Sequence, residues 1–335
     1  MKRYHPNRRM LLGALGSFPL LAALRAGPAR AAPDSPLTLG YPANLIGAGA
    51  ILAEEEKMFE KVGARVAFQK FNSGVAVRDA LVSGRVEVGV MNSTPFVVGV
   101  AKGELAGIAV AAYAGKIVMV VGGKDRGIKT IADLKGRKVA SQVGSGTDHV
   151  FQSVILPKYG LKSSDIQIIN VKFENHVSAL ASRSVDAYAG TEPYSSIAEH
   201  EGIGVVVVDY SRFDLTPVML AVNQPVLEQK RDAVVTLLKG WLETVRFARE
   251  QPERAARIIW RFYQSTGYDV PEAVIRSAFG RVDLNPDYVP ELAKYFTEQA
   301  QVLIDRKQIA RMPDWDKELL RGPIDEARAA LAKAR

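Results

Sequence analysis

The sequence predicts an α/β protein of two lobes, each built on a parallel sheet, followed by a helical C-terminal stretch. Three observations carry this reading. The length of 335 residues suits about two domains with well-filled cores. From Leu37 to about Asp209, short β-rich apolar runs alternate with helical patterns, the mark of βαβ units. After Val222 the composition turns to long helical patterns rich in Ala, Arg and Glu.

The expected strands are Leu37 to Gly40, Ala64 to Phe71, Val86 to Val90, Ile108 to Ala112, Ile117 to Val121, Lys138 to Ser141, Ile166 to Val171, Asp186 to Ala189, Gly204 to Asp209 and Val218 to Val222. Between the first two, Ala50 to Lys61 sets Leu52, Met58 and Phe59 among Glu54, Glu55 and Glu56, an amphipathic helix that Gly63 stops. In the tail, Pro225, Pro252, Pro271, Pro290 and Pro323 each mark a helix start. Trp241 and Trp260 fall on apolar helix faces and read as core. Ile108 to Gly123 is apolar, but Lys116 splits it into pieces too short to span a bilayer, so it reads as two strands. Two sheets joined through Tyr113 to Gly122, and rejoined near Tyr210 to Pro217, make a chain that crosses between lobes twice. Lobe 1 then takes residues 32–115 and 216–335, and lobe 2 takes residues 116–215.

The formal charge of +8 suggests an anionic partner until it is located. Lys2, Arg3, Arg8, Arg9, Arg25 and Arg30 lie before the first acid, Asp34. A basic stretch, an apolar one from Met10 to Leu24, and Ala29-Arg30-Ala31 read as an export leader cleaved after Ala31. Asn7-Arg8-Arg9-Met10-Leu11-Leu12 is similar to a twin-arginine motif, with general secretory export as the alternative. Loss of six cations leaves 38 basic against 36 acidic residues, so nucleic acid and stable membrane insertion are not expected. With no cysteine there is no disulfide, thiolate metal site, thiol nucleophile or lipidated N-terminal cysteine. The expected compartment is a periplasm.

Motifs for catalysis are missing. Beyond the leader only His149, His176 and His200 remain, 27 and 24 residues apart, with no helical pair for a metal. The turns at Gly47, Gly144 and Gly202 lack the third glycine of a dinucleotide fingerprint, and no Walker lysine follows them. There is no G-x-S-x-G elbow. Neither cofactor nor metal is expected.

What recurs is a strand running into small or polar residues and then a helix start. Gly40-Tyr41-Pro42-Ala43-Asn44, Met91-Asn92-Ser93-Thr94-Pro95, Gln142-Val143-Gly144-Ser145-Gly146-Thr147 and Gly190-Thr191-Glu192-Pro193 all fit. In a parallel sheet these turns share the carboxyl ends of the strands, where ligands bind. Free N–H groups at helix N-termini beside hydroxyls favour anions and polar head groups, although such residues also serve as ordinary caps.

Four stretches resemble a known family. Ala53-Glu54-Glu55-Glu56-Lys57-Met58-Phe59-Glu60-Lys61-Val62-Gly63 resembles the A-x-E-x-G-[LY]-F-x-K-x-G phrase of the periplasmic substrate-binding proteins of ABC importers for sulfonates, nitrate and taurine, to which thiamine-precursor binders are cousins. Leu81 to Gly89, Ile131-Ala132-Asp133-Leu134-Lys135-Gly136-Arg137-Lys138-Val139-Ala140, and Val185-Asp186-Ala187 through Pro193 look like three further elements of that family. The resemblance implies a type II periplasmic binding fold, with two doubly wound α/β lobes, two crossovers and a helical extension packed on lobe 1. It implies a small-molecule ligand, an ABC permease with its ATPase, a monomer and no catalysis. Carried over by position, its ligand contacts fall on Tyr41, Asn44, Ser93, Thr94, Ser145, Gly146, Thr147 and Glu192. Asp214 and Lys116, near the crossovers, are further candidates. This chain departs from the pattern at Glu87, at Arg183-Ser184 where glycine is common, and in having no arginine within the four turns.

Glu192 therefore admits two roles. It faces a donor or positive end of the ligand, as in an amino-sulfonate or a pyrimidine, or it sits in the first turn of a helix and points to water. The expected mechanism is closure of the lobes on a sulfonate-, taurine- or nitrate-like ligand. The alternatives are a thiamine-precursor pyrimidine binder, an enzyme of the related pyrimidine synthase branch, whose cysteine-rich motif is missing here, and a sensor subunit.

Overall fold

The computed structural model describes residues 36–333, apart from residues 104 and 268. The expected leader and its cleavage point lie outside the described residues. Ten strands, all in segments expected from the sequence, form two five-stranded sheets among the described residues. The first sheet contains β1 (Leu37–Pro42), β2 (Val66–Phe71), β3 (Val88–Asn92), β4 (Leu105–Tyr113) and β10 (Pro217–Asn223), in the order β2-β1-β3-β10-β4. The second contains β5 (Val118–Gly123), β6 (Lys138–Ser141), β7 (Gln167–Asn170), β8 (Ala187–Thr191) and β9 (Gly204–Asp209), in the order β7-β6-β8-β5-β9. Central β3 and β8 are buried along their whole length, as strands covered on both faces must be.

The sheets are not purely parallel. β10 runs antiparallel to β3 and β4, and β5 runs antiparallel to β8 and β9. Each is the first strand after a crossover. The chain leaves one sheet at the carboxyl end of a strand and enters the other sheet from that same side, so the entering strand must run backwards. Alternating strand and helix patterns contain no signal for this reversal. The apolar stretch from Ile108 to Gly123 is indeed two strands, β4 and β5, in different sheets. No helix among the described residues is long and apolar enough to cross a membrane.

Helices α1 (Ala48–Glu55), α2 (Met58–Lys61), α3 (Gly74–Val82) and α4 (Ser93–Ala101) follow the strands of the first sheet. The single helix expected over Ala50 to Lys61 is broken at Lys57, whose φ of 52° is left-handed. The break brings α2 close to the tail: a Cβ on Gly240 would lie 2.4 Å from Phe59 Cδ1. The second sheet carries α5 (Gly146–Val150), a π-helical turn (Phe151–Ile155), α6 (Leu156–Lys158), α7 (His176–Ala181) and α8 (Tyr194–His200).

The tail comprises α9 (Gln224–Gln229), α10 (Arg231–Glu250), α11 (Pro252–Ser265), α12 (Glu272–Phe279), α13 (Leu292–Asp305), α14 (Trp315–Glu318) and α15 (Gly322–Lys333). Most of it packs on the first sheet. α10 covers α1 and α2, α13 lies on α4, and α14 and α15 reach β4. Trp241 on α10 is 1% exposed and core, as expected, whereas Trp260 is half-buried and donates from Nε1 to Val270 O at 2.9 Å. Helix α12 also touches α8 of the second sheet. The tail therefore bridges the two lobes.

Candidate functional site

Both sheets wind in the same order, and α4, which follows β3, touches α5, which follows β6. The approach is close at one point: a Cβ added to Gly146, at the start of α5, would lie 2.8 Å from Asn92 Cβ at the end of β3. Only glycine lets the two lobes meet here. The first-turn amides of α4 and α5 have no acceptor within their own helices, and both helices direct the positive ends of their dipoles toward this junction.

The site residues expected from the sequence fall into distinct roles. Asn44 caps a 3-10 turn, its Oδ1 accepting from Ile46 N at 3.0 Å. Ser145 caps α5, its Oγ accepting from Asp148 N at 3.1 Å. Thr147 is buried, and its carbonyl accepts from the Tyr210 hydroxyl at 3.2 Å. Ser93 and Thr94 open α4, and both hydroxyls accept from Gln299 Nε2, at 3.0 and 3.1 Å. Tyr41 is fully buried, and its hydroxyl donates to Glu54 within the first lobe. Asp214 lies in the second crossover, where its Oδ1 accepts from Thr216 N, Thr216 Oγ1 and the Tyr295 hydroxyl at 2.5, 2.9 and 2.9 Å.

Glu192 does not point to water. Its carboxylate accepts from Ser196 N at 3.0 Å, Ser196 Oγ at 2.9 Å and Arg281 Nη1 at 2.5 Å, and the side chain is fully buried. It caps the first turn of α8, as one reading held, but inside the protein and not in water. Its charge is answered by Arg281. Burial still raises its pKa above the usual carboxylate value, against the opposing effects of Ser196 and Arg281.

Sequence reasoning missed three tail residues, Arg281, Tyr295 and Gln299. Arg281 lies in the loop between α12 and α13, far in sequence from the turns. Tyr295 and Gln299 carried a faint signal. They stand four apart on α13, so they share a face, next to the buried stripe of Leu292, Phe296, Ala300 and Leu303. Polar groups beside an apolar stripe imply a buried partner, here Ser93 and Thr94. Asp148 was missed too: buried in the first turn of α5, it accepts from Gly144 N at 3.1 Å and Gln152 Nε2 at 2.8 Å.

Other groups fix the electrostatics. His149 in α5 is lowered to about 4, mainly by burial and further by the charge of Arg306, so it is neutral near pH 7. Burial raises the Asp214 carboxyl, opposed by its bonds to Tyr295 and Thr216. Asn92 Nδ2 is buried without a hydrogen-bond partner, a donor left open beside Gly146. Among the described residues no cluster of three His, Asp or Glu side chains is placed to hold a metal ion. Against both crossovers lies a cavity of about 500 Å3 lined by Tyr113, Lys116, Asp214, Arg281 and Asp283, among others. The chemistry of the Gly146–Asn92 junction, amide and hydroxyl donors at two helix starts, suits a small polar or anionic group.

Comparison with known proteins places this geometry. The sequence model of the NMT1-like family matches residues 30–261. A protein of Escherichia coli strain K12 named as an aliphatic sulfonates-binding protein is 28% identical over 234 residues, covering 68% of this chain and 72% of that one. The crystal structure of the periplasmic aliphatic sulphonate binding protein SsuA from Escherichia coli superposes with a TM-score of 0.73 at 25% identity, over 86% of this chain and 93% of that one. The alkanesulfonate-binding protein SsuA of Xanthomonas axonopodis pv. citri, bound to MOPS, has the same fold, with a TM-score of 0.76 at 19% identity over 87% of this chain and 100% of the other.

Proposed function

Because the chain belongs to the NMT1-like family, whose relatives named above are binding proteins and not enzymes, we propose that it is the extracytoplasmic solute-binding protein of an ABC importer. Its ligand is a small sulfonate-like anion held between the lobes. One observation carries the reading: two helix N-termini from different sheets converge at Gly146 and Asn92, with buried hydroxyls and an unpaired amide donor beside them. Lobe 1 comprises residues 32–115 and 216–335 and lobe 2 residues 116–215, a division supported by strand membership in the two sheets. The lobes hinge at the two crossovers, and closure excludes water from the anion. The ligand contacts proposed are the turns of Asn44, Ser93 and Thr94, and Ser145 to Thr147. Tyr41, Glu192 and Asp214 act behind them. The chain works in the periplasm as a monomer, freed from its leader, and delivers its ligand to a permease.

The test is small-angle scattering of the chain from Ala32 onward, with and without saturating alkanesulfonate. A smaller radius of gyration in the ligand-bound state is expected. Confirmed binding with no change in radius would refute the closing mechanism.

A further inference from the structure

The hydrogen bonds behind the start of α4 have a direction. Thr216 N, Thr216 Oγ1 and the Tyr295 hydroxyl converge on Asp214 Oδ1, and because the Thr216 amide can only donate, Oδ1 is an acceptor. The Tyr295 hydroxyl therefore spends its hydrogen on Asp214. The contact between Ser93 Oγ and Tyr295 Oη, 3.2 Å, then requires Ser93 to donate. With its hydrogen used, Ser93 accepts from Gln299, which fixes the Gln299 amide with its NH2 toward α4, consistent with 3.0 Å to Ser93 and 3.1 Å to Thr94. Thr94 is consequently an acceptor toward Gln299 and retains an unspent hydrogen, although its side chain is only 4% exposed. Thr94 is the second residue of α4, two positions after Asn92, whose Nδ2 is unpartnered.

We propose that Gln299, Tyr295 and Asp214 are positioning residues that set this polarity, so that Ser93 is committed to the protein, Thr94 donates to the ligand, and the turn selects a head group that only accepts hydrogen bonds. The inference rests on the anion-binding reading above and deepens it. A fully deprotonated oxyanion such as a sulfonate satisfies every donor here. An ammonium or amide N–H directed at Thr94 meets a hydroxyl that already accepts from Gln299. Because Asp214 belongs to the second crossover, the polarity of the ligand turn is anchored to the hinge.

The experiment is a double-mutant cycle of Thr94→Val and Gln299→Met, read as the affinity for butanesulfonate by calorimetry, with the melting temperature recorded for each protein. A hydrogen bond to a charged group is worth roughly tenfold to a hundredfold in affinity, so each single variant is expected to bind at least about tenfold more weakly. If Gln299 acts through Thr94, the double variant binds no worse than Thr94→Val within about threefold, and Thr94→Ser retains binding. Losses that multiply would overturn the proposal, because they assign Gln299 a general structural role that costs affinity with or without Thr94. Should Gln299→Met fail to fold, Gln299→Leu removes the donor without adding charge, and the same cycle applies. Failure of the wild type to bind butanesulfonate would overturn the functional reading and this inference with it. Wild-type binding with additive losses overturns the inference alone.

Discussion

Replacing Arg281 by alanine exposes the energetics of the bridge between tail and second lobe. Glu192 is fully buried and has three donors, of which Arg281 alone carries charge. Removing one partner of a buried ion pair typically costs about 3–5 kcal/mol, because a charge is left without compensation. Two features reduce the figure here. The Arg281 side chain is 37% exposed, so water screens the pair, and Ser196 retains both its bonds. A loss of about 2 kcal/mol results. With an unfolding entropy of roughly 2.1 cal/mol/K per residue over about 300 residues, that lowers the melting temperature by about 3 °C. The pH dependence supplies the sharper check. Glu192 has a folded-state pKa above its usual value, so its ionisation weakens the fold as pH rises through that value, and loss of Arg281 raises it further. The deficit of Arg281→Ala should therefore be larger near about pH 7.5 than near about pH 4.5, where a larger share of Glu192 is protonated. Adding Glu192→Gln should recover most of it. Differential scanning calorimetry at both pH values is the assay. A deficit that is independent of pH, or that Glu192→Gln leaves unchanged, would refute the buried-charge argument.

Three further outcomes are expected. Gly146→Ala sets a methyl against Asn92 and should weaken alkanesulfonate binding by about tenfold or more in calorimetry, with little change in melting temperature, since the clash arises only where the lobes meet. Arg183, at φ 62° just past the end of α7, occupies a position that suits glycine, and its ion pair with Asp125 is exposed; Arg183→Gly should stabilise the protein by about 1 kcal/mol in denaturant unfolding. His149 and His176 are both lowered to about 4, each chiefly by burial, so their ring protons should titrate near pH 4 in NMR. Because the unfolded chain binds these protons near the ordinary value, their contribution to stability declines as pH falls from about 6.5 toward 4. Titration of either ring near 6.5 in the folded protein would contradict its burial.

The fold was largely legible in the sequence, for physical reasons that particular elements illustrate. Strands such as β6 and β9 are short β-rich apolar runs whose observed bounds coincide with those expected, because burial on a sheet leaves a local pattern. The departure at Arg183 was visible only against the family's pattern, and the structure supplies its reason, a left-handed residue just past the end of α7. The break at Lys57 was overlooked although it is local: Lys57 is left-handed and stands where the family's phrase has glycine. What else escaped was non-local. The reversal of β5 and β10 follows from how two sheets share a chain. Glu192 was visible as an acid in a turn, but Arg281, 89 residues away in sequence, decides what that acid does. The same holds for Ser93 and Thr94, whose roles depend on Gln299 and Tyr295. Turn chemistry marks where a site is; the partners behind it decide which of its atoms remain for a ligand.

The central claim is that the two facing helix N-termini bind a small anionic sulfonate without transforming it. Isothermal titration of the chain from Ala32 onward with butanesulfonate tests it most directly. The account predicts saturable one-to-one binding, with the ligand recovered unchanged. Absence of binding by a protein whose circular dichroism confirms it is folded, or recovery of a converted product, would contradict it.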